Sequence, residues 1–168
     1  MNRWSGLLVP LLLTSVALAV FGQTTTTVPA HTHDSEDIID GSKNPELIPD
    51  VIAWRLWMLS VIAPDPAHPE LAQHRQDVFL KTAGFDDNEL DKAKQVLLQF
   101  KADYESLRQA HNDQVKAGTA GNIRPQRDSL AATTRDRLLA ITVHGDDIKD
   151  FLKGEKAKMR IPRSEAQQ

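Results

Sequence analysis

Apolar positions recur with the period of an α-helix over most of the chain after residue 45. The longest regular stretch begins at Leu90 and contains no Gly or Pro as far as Gln114. The positions that recur there every three or four residues are Leu90, Ala93, Leu97, Phe100, Tyr104, Leu107, His111 and Gln114. Asp86 and Glu89 precede it in the spacing of a capping box. This heptad pattern, which is that of a coiled coil, predicts one helix of about 30 residues that ends at Gly118.

Four shorter helices are predicted around the long one. The first is apolar on nearly every face, as expected of a helix at the centre of a bundle. In the second, Leu71, Val78, Phe79 and Thr82 are predicted to line the inner side. The predicted ranges are 49–63, 70–83, 125 to about 143, and 146–161. No segment alternates at period two for more than a few residues, so the predicted fold is an all-α bundle of about four to five helices with one long central helix.

The first 22 residues follow a different pattern. Arg3 precedes an apolar run over 7–20 that is shorter than the roughly 20 residues needed to span a membrane. Ala17 and Ala19 provide the small residues that a signal peptidase requires, and Gly22 offers a second cleavage point. Residues 1–22 are therefore predicted to be a signal peptide cleaved after 19 or 22, with an uncleaved anchor as the alternative. The mature chain is expected to be secreted or periplasmic, with no transmembrane span.

The polar stretches at both ends of the helical pattern predict the domain boundaries. Residues 23–44 contain little to bury and no periodicity, so we expect a flexible polar linker there. The helical domain is expected over 45–162, and residues 163–168 are expected to form a disordered tail.

Charge and composition narrow the class of protein. The chain has 168 residues, with 20 Lys plus Arg, 23 Asp plus Glu and no Cys, so disulfides and thiolate chemistry are excluded. Loss of Arg3 with the signal would leave 19 basic residues and a net charge of −4. This balance does not favour nucleic-acid binding, and no motif in the sequence indicates a cofactor.

Two groups of residues are candidates for a function. His31, His33 and Asp34 are of the types that bind Zn²⁺ or Cu²⁺, although they are equally compatible with a solvated linker. Trp54, Trp57 and Met58 lie on the apolar first helix. They form either the centre of the bundle or a groove that binds another protein.

Two segments carry a resemblance to a known group of proteins. Residues 39–50, which read IDGSKNPELIPD, and residues 155–159, which read EKAKM, are similar to segments of small secreted bacterial proteins of no assigned activity. The resemblance implies export but no reaction.

The sequence therefore favours a non-enzymatic exported protein that binds a protein partner, forms a homo-oligomer or belongs to an envelope assembly. The alternative is a metal-binding or stress-responsive periplasmic protein. An enzyme without a recognisable motif is the third hypothesis.

Overall fold

The computed structural model describes residues 38–167. The predicted signal peptide and most of the predicted linker, with His31, His33 and Asp34, lie outside this range. None of the described helices is both long enough and apolar enough to cross a bilayer.

The described chain is mainly helical, which confirms the predicted fold class and the long helix. Two short strands join the ends of this region, and single 3₁₀ turns precede the first two helices. The helices are α1 (Asp50–Ile62), α2 (Ala72–Thr82), α3 (Leu90–Lys116), α4 (Arg124–Leu139), α5 (Gly145–Lys156) and α6 (Arg163–Ala166). The strands are β1 (Ile38–Asp40) and β2 (Arg160–Pro162), and the 3₁₀ turns cover Pro45–Leu47 and Pro69–Leu71.

Local sequence signals set the ends of α2 and α3. The backbone N–H of Glu89 donates to Asp86 Oδ1 at 3.1 Å, and the backbone N–H of Asp86 donates to Glu89 Oε2 at 3.0 Å. This reciprocal pair is the predicted capping box. Gly84 and Gly118 adopt φ values of 106° and 70°, in the left-handed region that favours glycine and ends a helix.

The core of the bundle is centred on α1. This helix contacts α2, α3, α4 and α5, and eight of its residues are buried. The first half of α3 contributes Leu97 and Phe100 to the same core, whereas the second half runs beside α4 and is mostly exposed. Among the described elements, the most buried helix is thus the apolar α1, and α3 is the longest.

The predicted inner face of α2 is wrong. Leu80 is fully buried there, whereas Leu71, Val78 and Thr82 are exposed and Phe79 is half-buried. Leu71 belongs to the preceding 3₁₀ turn, which has a different period from the α-helix. The three consecutive apolar residues 78–80 did not fix the orientation of so short a helix.

The structure differs from the prediction near both domain boundaries. Strands β1 and β2 pair antiparallel with Ile39 opposite Ile161, and both side chains are buried. The folded region therefore includes residues 38–44, which the sequence assigned to the linker. Residues 163–166, assigned to a disordered tail, form α6. Strands of three residues are too short to show a period-two pattern, so the sequence did not indicate them.

Candidate functional site

The apolar residues singled out on α1 lie inside the bundle. Trp54, Trp57 and Met58 are buried, and the rings of the two tryptophans meet edge to face with centroids 5.5 Å apart. Phe151 of α5 contacts Trp57 in a similar geometry, at 6.1 Å. The three candidates are therefore core residues in this structure and present no surface to a partner.

The histidine candidates receive no structural description. His31, His33 and Asp34 precede the first described residue, so metal binding by them stays a prediction. Among residues 38–167, no group of three or more His, Asp or Glu side chains is placed to hold a metal ion.

A depression of about 590 Å³ lies among the end of α1, the start of α2 and α3, and we call it the α2–α3 groove. A second depression, of about 380 Å³, continues along α3 and shares Gln95, Leu98 and Lys101 with it. The groove combines aliphatic side chains with amides and a few charges. Its lining residues are Ile62, Pro69, Ala72, Gln73, Gln76, Asp91, Lys94, Gln95, Leu97, Leu98 and Lys101.

Leu98 is the most exposed apolar side chain of the groove. It is 67% exposed, whereas its neighbour Leu97 is 2% exposed and packs in the core. Successive residues on an α-helix point about 100° apart, so a helix that buries Leu97 turns Leu98 outward. Leu98 lines both depressions and is therefore the apolar centre of this surface.

The charges beside the groove are paired with one another. Lys94 Nζ lies 3.0 Å from Asp77 Oδ1 and 3.1 Å from Asp91 Oδ1. Its hydrogen bond to Asp77, followed by the one to Asp91, raises the pKa of Lys94 above its ordinary value. Lys101 lies 4.0 Å from Glu105. Each lysine of the groove thus has at least one carboxylate beside it, and the groove offers mainly apolar and amide groups to a ligand.

A second feature is built around Arg55, which is 2% exposed on the otherwise apolar α1. Its guanidinium forms ion pairs with Asp128 of α4 and Glu165 of α6. Two further guanidiniums approach the same Glu165 carboxylate. Arg124 Nη2 lies 3.6 Å from Oε2, and Arg127 Nη2 lies 3.8 Å from Oε1.

We call Arg55, Arg124 and Arg127 together with Asp128 the arginine cluster. Arg124 also donates from Nη1 to the backbone carbonyl of Gln167 at 2.6 Å. A depression of about 330 Å³ lies beside the cluster, lined by Asn122, Arg124, Pro125, Asp128 and Gln167.

Sequence reasoning missed the arginine cluster. The available signal was Arg55 itself, the single charged residue of range 51–62, because a guanidinium in a buried helix requires a partner. Its partners lie 73 and 110 residues further along the chain. No local pattern could have identified them.

The two segments that carried the resemblance lie against each other. The backbone N–H of Gly41 donates to the carbonyl of Met159 at 2.9 Å, and Lys156 forms an ion pair with Asp50. Residues 39–50 and 155–159 therefore form one structural unit, which joins the ends of the described chain.

These features define a small helical bundle whose ends are joined by a two-stranded sheet and whose last helix is bound by buried charge. No family model, curated protein or solved structure matches the chain.

Proposed function

We propose that this chain is an exported, non-enzymatic helical module that binds a partner protein through the α2–α3 groove. The exposure of Leu98 between two adjoining depressions carries the proposal for binding. Export is supported by Arg3, the apolar run after it and the Ala17-x-Ala19 spacing.

The groove has the chemistry of a surface that docks apolar side chains. Covering a leucine side chain is worth about 1.5–3 kcal/mol, so Leu98 can anchor a partner that presents an aliphatic or aromatic residue. Gln73, Gln76 and Gln95 surround it with groups that donate and accept hydrogen bonds. Because Lys94 is already paired with two carboxylates, the groove favours a partner segment of low charge.

The test compares Leu98→Asp with Val143→Asp. Val143 is 86% exposed and does not line the groove, so it is a matched control for placing a charge on an exposed apolar position. Both variants should unfold at nearly the wild-type temperature, since neither side chain is buried. We expect Leu98→Asp to weaken capture of a partner from envelope extract at least about tenfold, which corresponds to about 1.4 kcal/mol.

Val143→Asp should retain the partner. Equal retention by both variants would contradict the groove as the binding surface, as would equal loss. If the partner is a second copy of the chain, light scattering will show a dimer that Leu98→Asp abolishes.

A further inference from the structure

We propose that the arginine cluster is a binding site for a peptide that presents a glutamate side chain, and that residues 163–167 occupy it as an internal ligand. This site is separate from the α2–α3 groove, and it does not depend on the function proposed there. The ligand class is a short peptide that presents one Glu carboxylate and, two residues later, a free backbone carbonyl.

The buried guanidinium of Arg55 requires anionic partners. A buried guanidinium is strongly unfavourable unless carboxylates pair with it. Asp128, which belongs to the bundle, supplies one carboxylate, whereas Glu165 supplies the other from a helix of only four residues. The bundle alone therefore satisfies only part of what Arg55 requires.

Without α6, the arginine cluster carries an excess of positive charge. Arg55, Arg124 and Arg127 carry three positive charges, and Asp128 carries one negative charge, so the local excess is two. Glu165 lowers this excess to one. Within the described part of the chain, the Nε–H of Arg127 is also buried without a hydrogen-bond acceptor. The cluster thus has more donors and more positive charge than its internal ligand uses.

The cluster contacts both a side chain and the backbone of residues 163–167, as a peptide-binding site does. Arg124 approaches the Glu165 carboxylate through Nη2 and donates to the Gln167 carbonyl through Nη1. A small free acid would supply only the first of these contacts. The neighbouring depression of about 330 Å³, which Gln167 also lines, leaves room for further residues of a peptide.

Helix α6 is bound to the bundle mainly by the ion pairs of Glu165. None of its four residues is fully buried, and Ala166 is only partly packed against the core. Little apolar surface would be exposed if α6 left the cluster. An external peptide that presents a glutamate side chain can therefore take its place by supplying an equivalent carboxylate.

The first experiment is a chemical rescue of the full chain carrying Glu165→Ala. We expect the melting temperature to fall by about 5 °C or more, because a paired buried charge loses one partner. Propionate, which replaces the missing carboxylate, should restore most of this loss, and chloride at the same ionic strength should not. Glu165→Ser, which also leaves space for the anion, serves for the same measurements if Glu165→Ala does not fold.

Asp40→Ala is the matched control. The Asp40 carboxylate lies 3.6 Å from the exposed Arg160 and accepts hydrogen bonds from the backbone N–H and the hydroxyl of Ser42. The variant therefore loses an ion pair and local hydrogen bonds but leaves no buried guanidinium, so it should show no specific response to propionate. A rescue equal to that of Glu165→Ala would contradict a dedicated site, and so would the absence of any rescue of the position-165 variant.

The second experiment distinguishes a peptide from a small acid. Labelled acetyl-Arg-Ser-Glu-Ala-Gln-amide, which has the sequence of residues 163–167, and its Gln-for-Glu analogue are titrated into the position-165 variant. We expect at least about tenfold tighter binding of the Glu peptide. Arg124→Ala in the same background should reduce this preference, because it removes one of the three guanidiniums that approach the carboxylate. If propionate rescues stability but both peptides bind alike, the cluster binds small acids and the peptide proposal is wrong.

Discussion

At the scale of the residue, Leu97 and Leu98 show how strongly the helical phase of α3 separates two identical side chains. We expect Leu97→Ala to lower the free energy of unfolding by about 2–5 kcal/mol, because it leaves a cavity in the core. Leu98→Ala should change it by less than about 0.5 kcal/mol. Denaturant unfolding of the two variants measures both values, and similar losses would show that the phase of α3 is wrong.

Individual residues differ in how far the sequence predicted their surroundings. The heptad pattern predicted the inward position of Leu97, because a helical period needs only local information. For Trp57 the choice between the centre of the bundle and a binding groove stayed open, since periodicity does not reveal what covers an apolar helix. The partners of Arg55 were missed, because a distant ion pair leaves no mark on the residues around it.

At the scale of the element, the pairing of β1 with β2 depends on a residue without a side chain. A Cβ atom on Gly41 would overlap the carbonyl oxygen of Lys156 and lie 2.9 Å from that of Met159. These are backbone atoms, so they cannot move aside without displacing the end of α5 or the turn that leads to β2. Gly41→Ala should therefore lower the free energy of unfolding by more than about 2 kcal/mol.

Gly154→Ala is the matched control for Gly41→Ala. Gly154 lies within α5, and an added Cβ there meets nothing within 4 Å in the described chain. Alanine is the better helix former, so this substitution should stabilise the protein by up to about 1 kcal/mol. Thermal unfolding of both variants should give shifts of opposite sign, and a neutral Gly41→Ala would contradict the close approach.

The elements that the sequence predicted were those with strong local signals. The capping box of α3, the proline after α1 and the proline in the first turn of α4 define helix ends without any tertiary contact. Strand β1 and helix α6 form only because distant segments meet them, Ile161 in one case and Arg55 in the other. Such elements are short and lack a period of their own.

At the scale of the whole molecule, the prediction of export concerns residues that precede the described fold. Cleavage after 19 or 22 would leave the region from Ile38 onward unchanged. Mass spectrometry of the protein recovered from the envelope or the medium should therefore find Val20 or Gln23 at the N-terminus. A mature chain that still begins at Met1 would support the anchor alternative.

The pairing of β1 with β2 also bears on the path of the chain. Ile38 lies opposite Pro162, so the backbone from 38 to 162 returns to its starting point and forms a nearly closed circuit. The exposed connection between α3 and α4, where Gly118 and Gly121 have open space around them, lies elsewhere on that circuit. The order of the helices is therefore compatible with circular permutation. A peptide that joins residues 167 and 38 and is long enough to pass α6 would keep Glu165 beside Arg55. With new termini between Gly118 and Gly121, such a chain would preserve every packed neighbour of α1.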